Sequence, residues 1–245
     1  MRRAAANMRF SFQTLYNYFM KKTLLVLSSF LLTVHCMTQN LSVFEIKRLV
    51  QSGAFVRIGA PLQSFEITSI LNENPSLVTV IAEGYETFEV TSFLNKGAKI
   101  IVGKAFETFE ITSFLNTNST AVTVIAEGYE TFEVTSFINK GAKIIVGKPF
   151  ETFEITSFLN RNSTAVIVIA EGYETFEVTS FLNSGAKINV GKPFQVFEIT
   201  SFLKINNTAV TVLGNGYEYF ELQSFINAGA KIIVNFKASN DKMRF

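Results

Sequence analysis

The chain has no tryptophan, one histidine (His35), one cysteine (Cys36) and one aspartate (Asp241). Each shortage removes a class of chemistry. A single cysteine leaves no disulfide within the chain. A nucleophile–base pair needs a base that titrates near neutral pH, and histidine is the usual one. Beyond Cys36 the chain holds neither histidine nor cysteine. Charged residues are only 17% of the total, and the formal net charge is +2. No bulk field therefore points to nucleic acid or to a membrane surface.

Phenylalanine is abundant instead, with 26 copies. They recur at fixed places, which reads as core. The hydrophobic share of 48% is ample for one substantial core in 245 residues.

Residues 1–19 read as an upstream extension and 20–36 as a secretory signal peptide. Met20-Lys21-Lys22 is a basic start, and Thr23–Val34 is a short apolar run. That run is shorter than the roughly 20 residues a membrane-crossing helix needs. Cys36 invites lipidation, but His35 stands where such signals keep a small residue, so cleavage near Cys36 is expected. The mature chain is expected to carry no transmembrane helix and to be secreted, periplasmic or envelope-associated.

A Phe-Glu pair then sets a register. Its phenylalanine falls at Phe44, Phe65, Phe88, Phe109, Phe132 and onward to Phe220, with spacings of 21 and 23 in alternation. Two half-repeats make a 44-residue period, and nine half-repeats fill a single domain over 41–235. Residues 236–245 form a polar tail. Periods of this size signal solenoids or closed arrays.

Each half-repeat has two parts. The diverged copies Phe44–Gly53 and Phe220–Gly229 read as short helices, and they set the reading for the others. Glu86 and Glu89 lie in a first turn, and Asn95 and Gly97 supply stop chemistry. Val90, Phe93 and Leu94 share one face, expected to be buried against the sheet. Phe88 points elsewhere, expected to meet neighbouring helices. Ala98–Val102 and Ala121–Ala126 are short, β-branched and bounded by glycine, and so read as strands.

Alternation of helix and strand with short links predicts a parallel α/β sheet with right-handed crossovers. The tandem 22-residue half-repeats are expected to form an open right-handed α/β solenoid. A closed (βα)8-like barrel is the alternative, favoured by strands that are apolar on both faces. A mostly-β solenoid is a third. The ankyrin Thr-Pro-Leu-His signature and the leucine-rich-repeat strand consensus are both absent, so no family is named.

No catalytic residue, metal site or cofactor is assigned. The serines and glutamates recur as rows of like groups, whereas an active site gathers unlike groups at one place. Thr79, Thr123 and Thr211 share a strand slot that Ile167 interrupts. The one candidate binding feature is basic. Lys99, Lys143, Lys187 and Lys231 recur early in every second strand, and Lys104, Lys148 and Lys192 fall just past strand ends. Outward-facing rows of this kind suit a repeating polyanion; they equally suit solubility or pairing with the glutamate rows.

The sequence thus predicts a non-enzymatic binding, adhesion or scaffold module, with a protein or acidic polysaccharide as partner and no nucleic acid. A structural protein that self-associates through sheet faces or repeat ends is the alternative. A hydrolase on a barrel scaffold is the third.

Overall fold

The computed structural model describes residues 41–233 and a two-residue strand at Thr33–Val34. The expected upstream extension, the rest of the signal peptide and the polar tail lie outside the described residues.

Within residues 41–233, nine helices alternate with nine strands. The helices are α1 (Val43–Gln51), α2 (Ser64–Leu71), α3 (Thr87–Asn95), α4 (Thr108–Asn118), α5 (Thr131–Asn139), α6 (Thr152–Asn162), α7 (Thr175–Asn183), α8 (Val196–Asn206) and α9 (Tyr219–Asn227). The strands are β1 (Phe55–Ile58), β2 (Val78–Ile81), β3 (Lys99–Val102), β4 (Val122–Ile125), β5 (Lys143–Val146), β6 (Val166–Ile169), β7 (Lys187–Val190), β8 (Val210–Leu213) and β9 (Lys231–Ile233). All pair in parallel, each with the next in sequence. The expected α/β class, parallel sheet and helix–strand order are therefore present.

The Phe-Glu register marks helix starts because its glutamate sits at the third helical position. Glu89 accepts from the N–H of Glu86 at 2.9 Å, and Glu133 from that of Glu130 at 2.8 Å. Each satisfies a donor that a helix start leaves unpaired. The alternating spacing has a local cause. α3 and α5 run for 9 residues and stop at Gly97 and Gly141, whose φ values are +89° and +90°. α4 and α6 run for 11 residues and end in 3-10 turns at Ser119–Ala121 and Ser163–Ala165. The two extra helical residues are the difference between 21 and 23.

Helices cover one face of the sheet. Val80 of β2, Ile100 of β3 and Val122 of β4 are in register and buried on that face. Against them lie Val90, Phe93 and Leu94 of α3 and their equivalents, as expected. Each core phenylalanine meets a second ring edge-on. Phe93 packs against Tyr85 at 5.4 Å, Phe114 against Phe106 at 5.3 Å, and Phe137 against Tyr129 at 5.3 Å.

The strands are apolar on both sides, and Thr79, Ile81, Ile101 and Thr123 on the side away from the helices are half-buried. One expectation is corrected. Phe88 and its equivalents do not meet neighbouring helices; they are exposed. The reason is angular. Phe88 precedes Phe93 by five residues, and at about 100° per residue that places it roughly 140° around the helix from the core.

Candidate functional site

The seven predicted lysines fall into two separate places. Lys99, Lys143, Lys187 and Lys231 are the first residues of β3, β5, β7 and β9, exposed and on the side of the sheet away from the helices. Lys104, Lys148 and Lys192 lie two residues beyond strand C-termini. The length of a four-residue strand separates the rows, roughly 10–13 Å. One ligand group therefore cannot touch both.

The second row is engaged locally. Lys104 Nζ lies 4.7 Å from the Tyr129 ring centroid, Lys148 Nζ 4.4 Å from that of Tyr173, and Lys192 Nζ 4.2 Å from that of Tyr217. These are cation–π distances. The tyrosine hydroxyls in turn donate to the carbonyls of Phe106, Phe150 and Phe194 at 2.6, 2.6 and 2.7 Å. Lys192 also reaches Glu221 at 3.8 Å.

Glutamates at third helical positions accept from the first threonine of the preceding helix. The Thr87 hydroxyl donates to Glu110, Thr108 to Glu133, Thr131 to Glu154, Thr152 to Glu177 and Thr175 to Glu198. Each bond joins a helix to the next. The Thr108 hydroxyl, with the Glu130 N–H and the charge of Lys104, holds the Glu133 carboxyl below its ordinary value. The Thr152 hydroxyl, with the Glu174 N–H and Lys148, does the same to Glu177.

Unlike groups stand side by side on the sheet face away from the helices. Arg57 is in register with Thr79, and Thr79 with Lys99. In-register residues of adjacent parallel strands share a face, about 4.8 Å apart. Guanidinium, hydroxyl and amine thus stand in one row across β1, β2 and β3. The Phe55 ring lies 5.5 Å from Lys99 Nζ. Arg57 Nε is buried and has no hydrogen-bond partner among the described residues. Burial pushes the guanidinium pKa below its ordinary value.

Sequence reasoning identified Lys99 and noted Thr79 but missed Arg57. The available signal was the strand FVRI, which departs from the KIIV of later copies. Thr123 and Thr211 repeat the hydroxyl beside Lys143 and Lys231, without an arginine.

No family model matches the chain, and no curated protein does. Among solved structures, one described as native KDPGal is 10% identical, with 71% of this chain and 92% of that one covered at a TM-score of 0.40. A monomeric form of phosphoribosylanthranilate isomerase from Thermotoga maritima is 12% identical, with 76% and 93% covered at 0.38. Others carry aldolase, mutase and synthase names. The expectation of a non-enzymatic binding, adhesion or scaffold module is set aside, since the matching structures carry enzyme names. Among the described residues, no helix is long and apolar enough to cross a membrane.

Proposed function

We propose that the nine units form an open array and that the sheet face away from the helices carries a hydrolase-type active site at Arg57, Thr79 and Lys99. The open form is supported by strand pairing. β1 and β9 share no register with each other among the described residues. The site is supported by one observation above all. These three residues are where the rows of like groups break and unlike groups stand side by side in register.

The roles follow from the chemistry of each group. Arg57 presents a fixed fork of donors with an unpartnered Nε, suited to a carboxylate or phosphate on the substrate. The Thr79 hydroxyl attacks the acyl or phosphoryl centre as its proton passes to solvent water, and the positive charge of Lys99 stabilises the negative charge that develops on the centre's oxygens. The bond to the leaving oxygen breaks, and that oxygen takes a proton from water. A second water then attacks the bound group, releases it and returns a proton to the Thr79 oxygen.

The test uses 4-nitrophenyl phosphate and a nitrophenyl ester carrying a free carboxylate. Wild type is expected to release nitrophenol from one of them. Thr79→Val should abolish turnover, and Thr123→Val, at the arginine-free equivalent, should leave it intact. No turnover by wild type, or equal turnover by Thr79→Val, overturns the reading.

A further inference from the structure

The helices carry a row of large apolar side chains on the outside. One phenylalanine per helix, from Phe44 in α1 to Phe220 in α9, occupies the second helical position. All nine are between 67% and 74% exposed.

Folding does not account for this row. A side chain mostly in water contributes little to the core. Yet the slot never varies across the nine copies, the diverged ones included. The core-facing slot five residues later does vary. It holds Leu49 in α1, Ile70 in α2 and phenylalanine from Phe93 to Phe225. Here the exposed position is kept more strictly than the buried one.

The row is also held to a fixed spacing. Packed helices stand about 8–10 Å apart. The Thr87–Glu110 bond and those that follow it tie the starts of α3 to α8 each to the next, on either side of the phenylalanines. Nine phenylalanines at this exposure offer on the order of 1,000 Å² of apolar surface, more than the ~800 Å² per partner of a stable interface.

Charge selects the occupant. An exposed glutamate precedes the phenylalanine by two residues at Glu86, Glu107, Glu130, Glu151, Glu174 and Glu218. Exposed Glu83, Glu127 and Glu171 lie in the loops before these helices. The nearby bases Lys104, Lys148 and Lys192 are already turned onto tyrosine rings. A second copy laid on this edge would set carboxylate against carboxylate, which is strongly unfavourable.

We propose that the phenylalanine edge docks a cationic amphipathic polypeptide. Apolar side chains of that partner seat between the phenylalanine rings, and its lysines or arginines meet the glutamates. The proposal is independent of the sheet-face site.

The experiment titrates the full chain into a fluorescein-labelled amphipathic Leu/Lys peptide and follows anisotropy at low and high salt. Oligolysine, which lacks apolar groups, is the comparison. Wild type is expected to bind the amphipathic peptide about tenfold more tightly than oligolysine, and to weaken with salt. Combined Phe132→Ser, Phe153→Ser and Phe176→Ser should weaken peptide binding by about tenfold or more, with an unchanged circular dichroism spectrum. Should that variant fold poorly, combined Glu130→Gln, Glu151→Gln and Glu174→Gln replaces it. Gln63 and Gln195 already fill that position in other copies. It should bind more weakly and with less salt dependence. Equal binding by the substituted chain overturns the proposal, as does absence of wild-type binding at low salt. So does a phenylalanine-dependent dimer, or phenylalanine-dependent binding to zwitterionic vesicles without peptide binding.

Discussion

Phe132 and Phe137 lie in the same helix, five residues apart, and should behave in opposite ways on truncation. Phe137 is 0% exposed and meets the Tyr129 ring edge-on at 5.3 Å, whereas Phe132 is 73% exposed. Replacing a buried phenylalanine by alanine costs about 3–5 kcal/mol, through lost transfer energy and an unfilled cavity. The lost ring pair is worth about 0.5–1.5 kcal/mol within the same range of effects. Phe132→Ala removes few contacts and should change stability by less than about 0.5 kcal/mol. The assay is equilibrium unfolding in urea, followed by far-ultraviolet circular dichroism, since the chain lacks tryptophan. With a urea slope of about 2–3 kcal/mol/M, the Phe137→Ala midpoint should fall by roughly 1–2 M and the Phe132→Ala midpoint should hardly move. An array of units can lose cooperativity, so the slopes themselves must be compared before midpoints are converted to energies. A Phe137→Ala cost well under 1 kcal/mol, or a Phe132→Ala cost above 2, would refute the assignment of the two helix faces.

Thr131→Val removes the donor to Glu154 and should destabilise the chain by about 1–2 kcal/mol, since the bond is to a charged acceptor; an unchanged urea midpoint would show that the link is not retained in solution. Burial, with the charges of Glu89 and Glu221 assisting, raises the phenols of Tyr85 and Tyr217 to about 12. An unfolded phenol titrates near 10, so the stability tied to the neutral form is complete below about pH 10 and is lost as pH rises through about 12. Tyrosinate absorbance should therefore develop together with loss of helical dichroism in that interval. Full ionisation of all tyrosines near pH 10, with the fold intact, would contradict the burial of these rings.

What was legible in the sequence was whatever repetition displays. The Phe-Glu register located every helix start, because the glutamate at the third helical position caps its own helix in each copy. The β-branched segments between glycines located the strands for the same reason. Two things were not legible. Phe88 was read as lying off the face of Val90, Phe93 and Leu94, but that it meets water and not a neighbouring helix is decided by how the helices pack. The row Arg57–Thr79–Lys99 joins residues 22 and 20 apart. Register across strands brings them together, and a search for recurring groups passes over the one strand that does not recur. The contact of Lys104 with Tyr129 was hidden likewise, since it spans one half-repeat and forms only when neighbouring loops are stacked.

The acidic character of the phenylalanine edge has a physical origin independent of any partner. All strands are parallel and helices alternate with them, so all nine helix N-termini gather along one edge. Each start carries the positive end of its macrodipole, and carboxylates there are stabilising by about 0.3–1 kcal/mol each. Glutamates such as Glu86 and Glu89 answer that field, while Lys96, Lys140 and Lys204 sit at or near helix C-termini, where the opposite sign is favoured. Dipole compensation therefore explains the charges, but it gives no reason for Phe88. A phenylalanine at the second helical position neither caps a donor nor balances a dipole, and its helix propensity is lower than that of alanine or glutamate. Within this sequence the first-turn glutamate and the exposed phenylalanine nevertheless persist together in the most diverged copies, at Phe44-Glu45 and Phe220-Glu221. The electrostatic half of that pair is accounted for by the fold, and the apolar half is what a partner must explain.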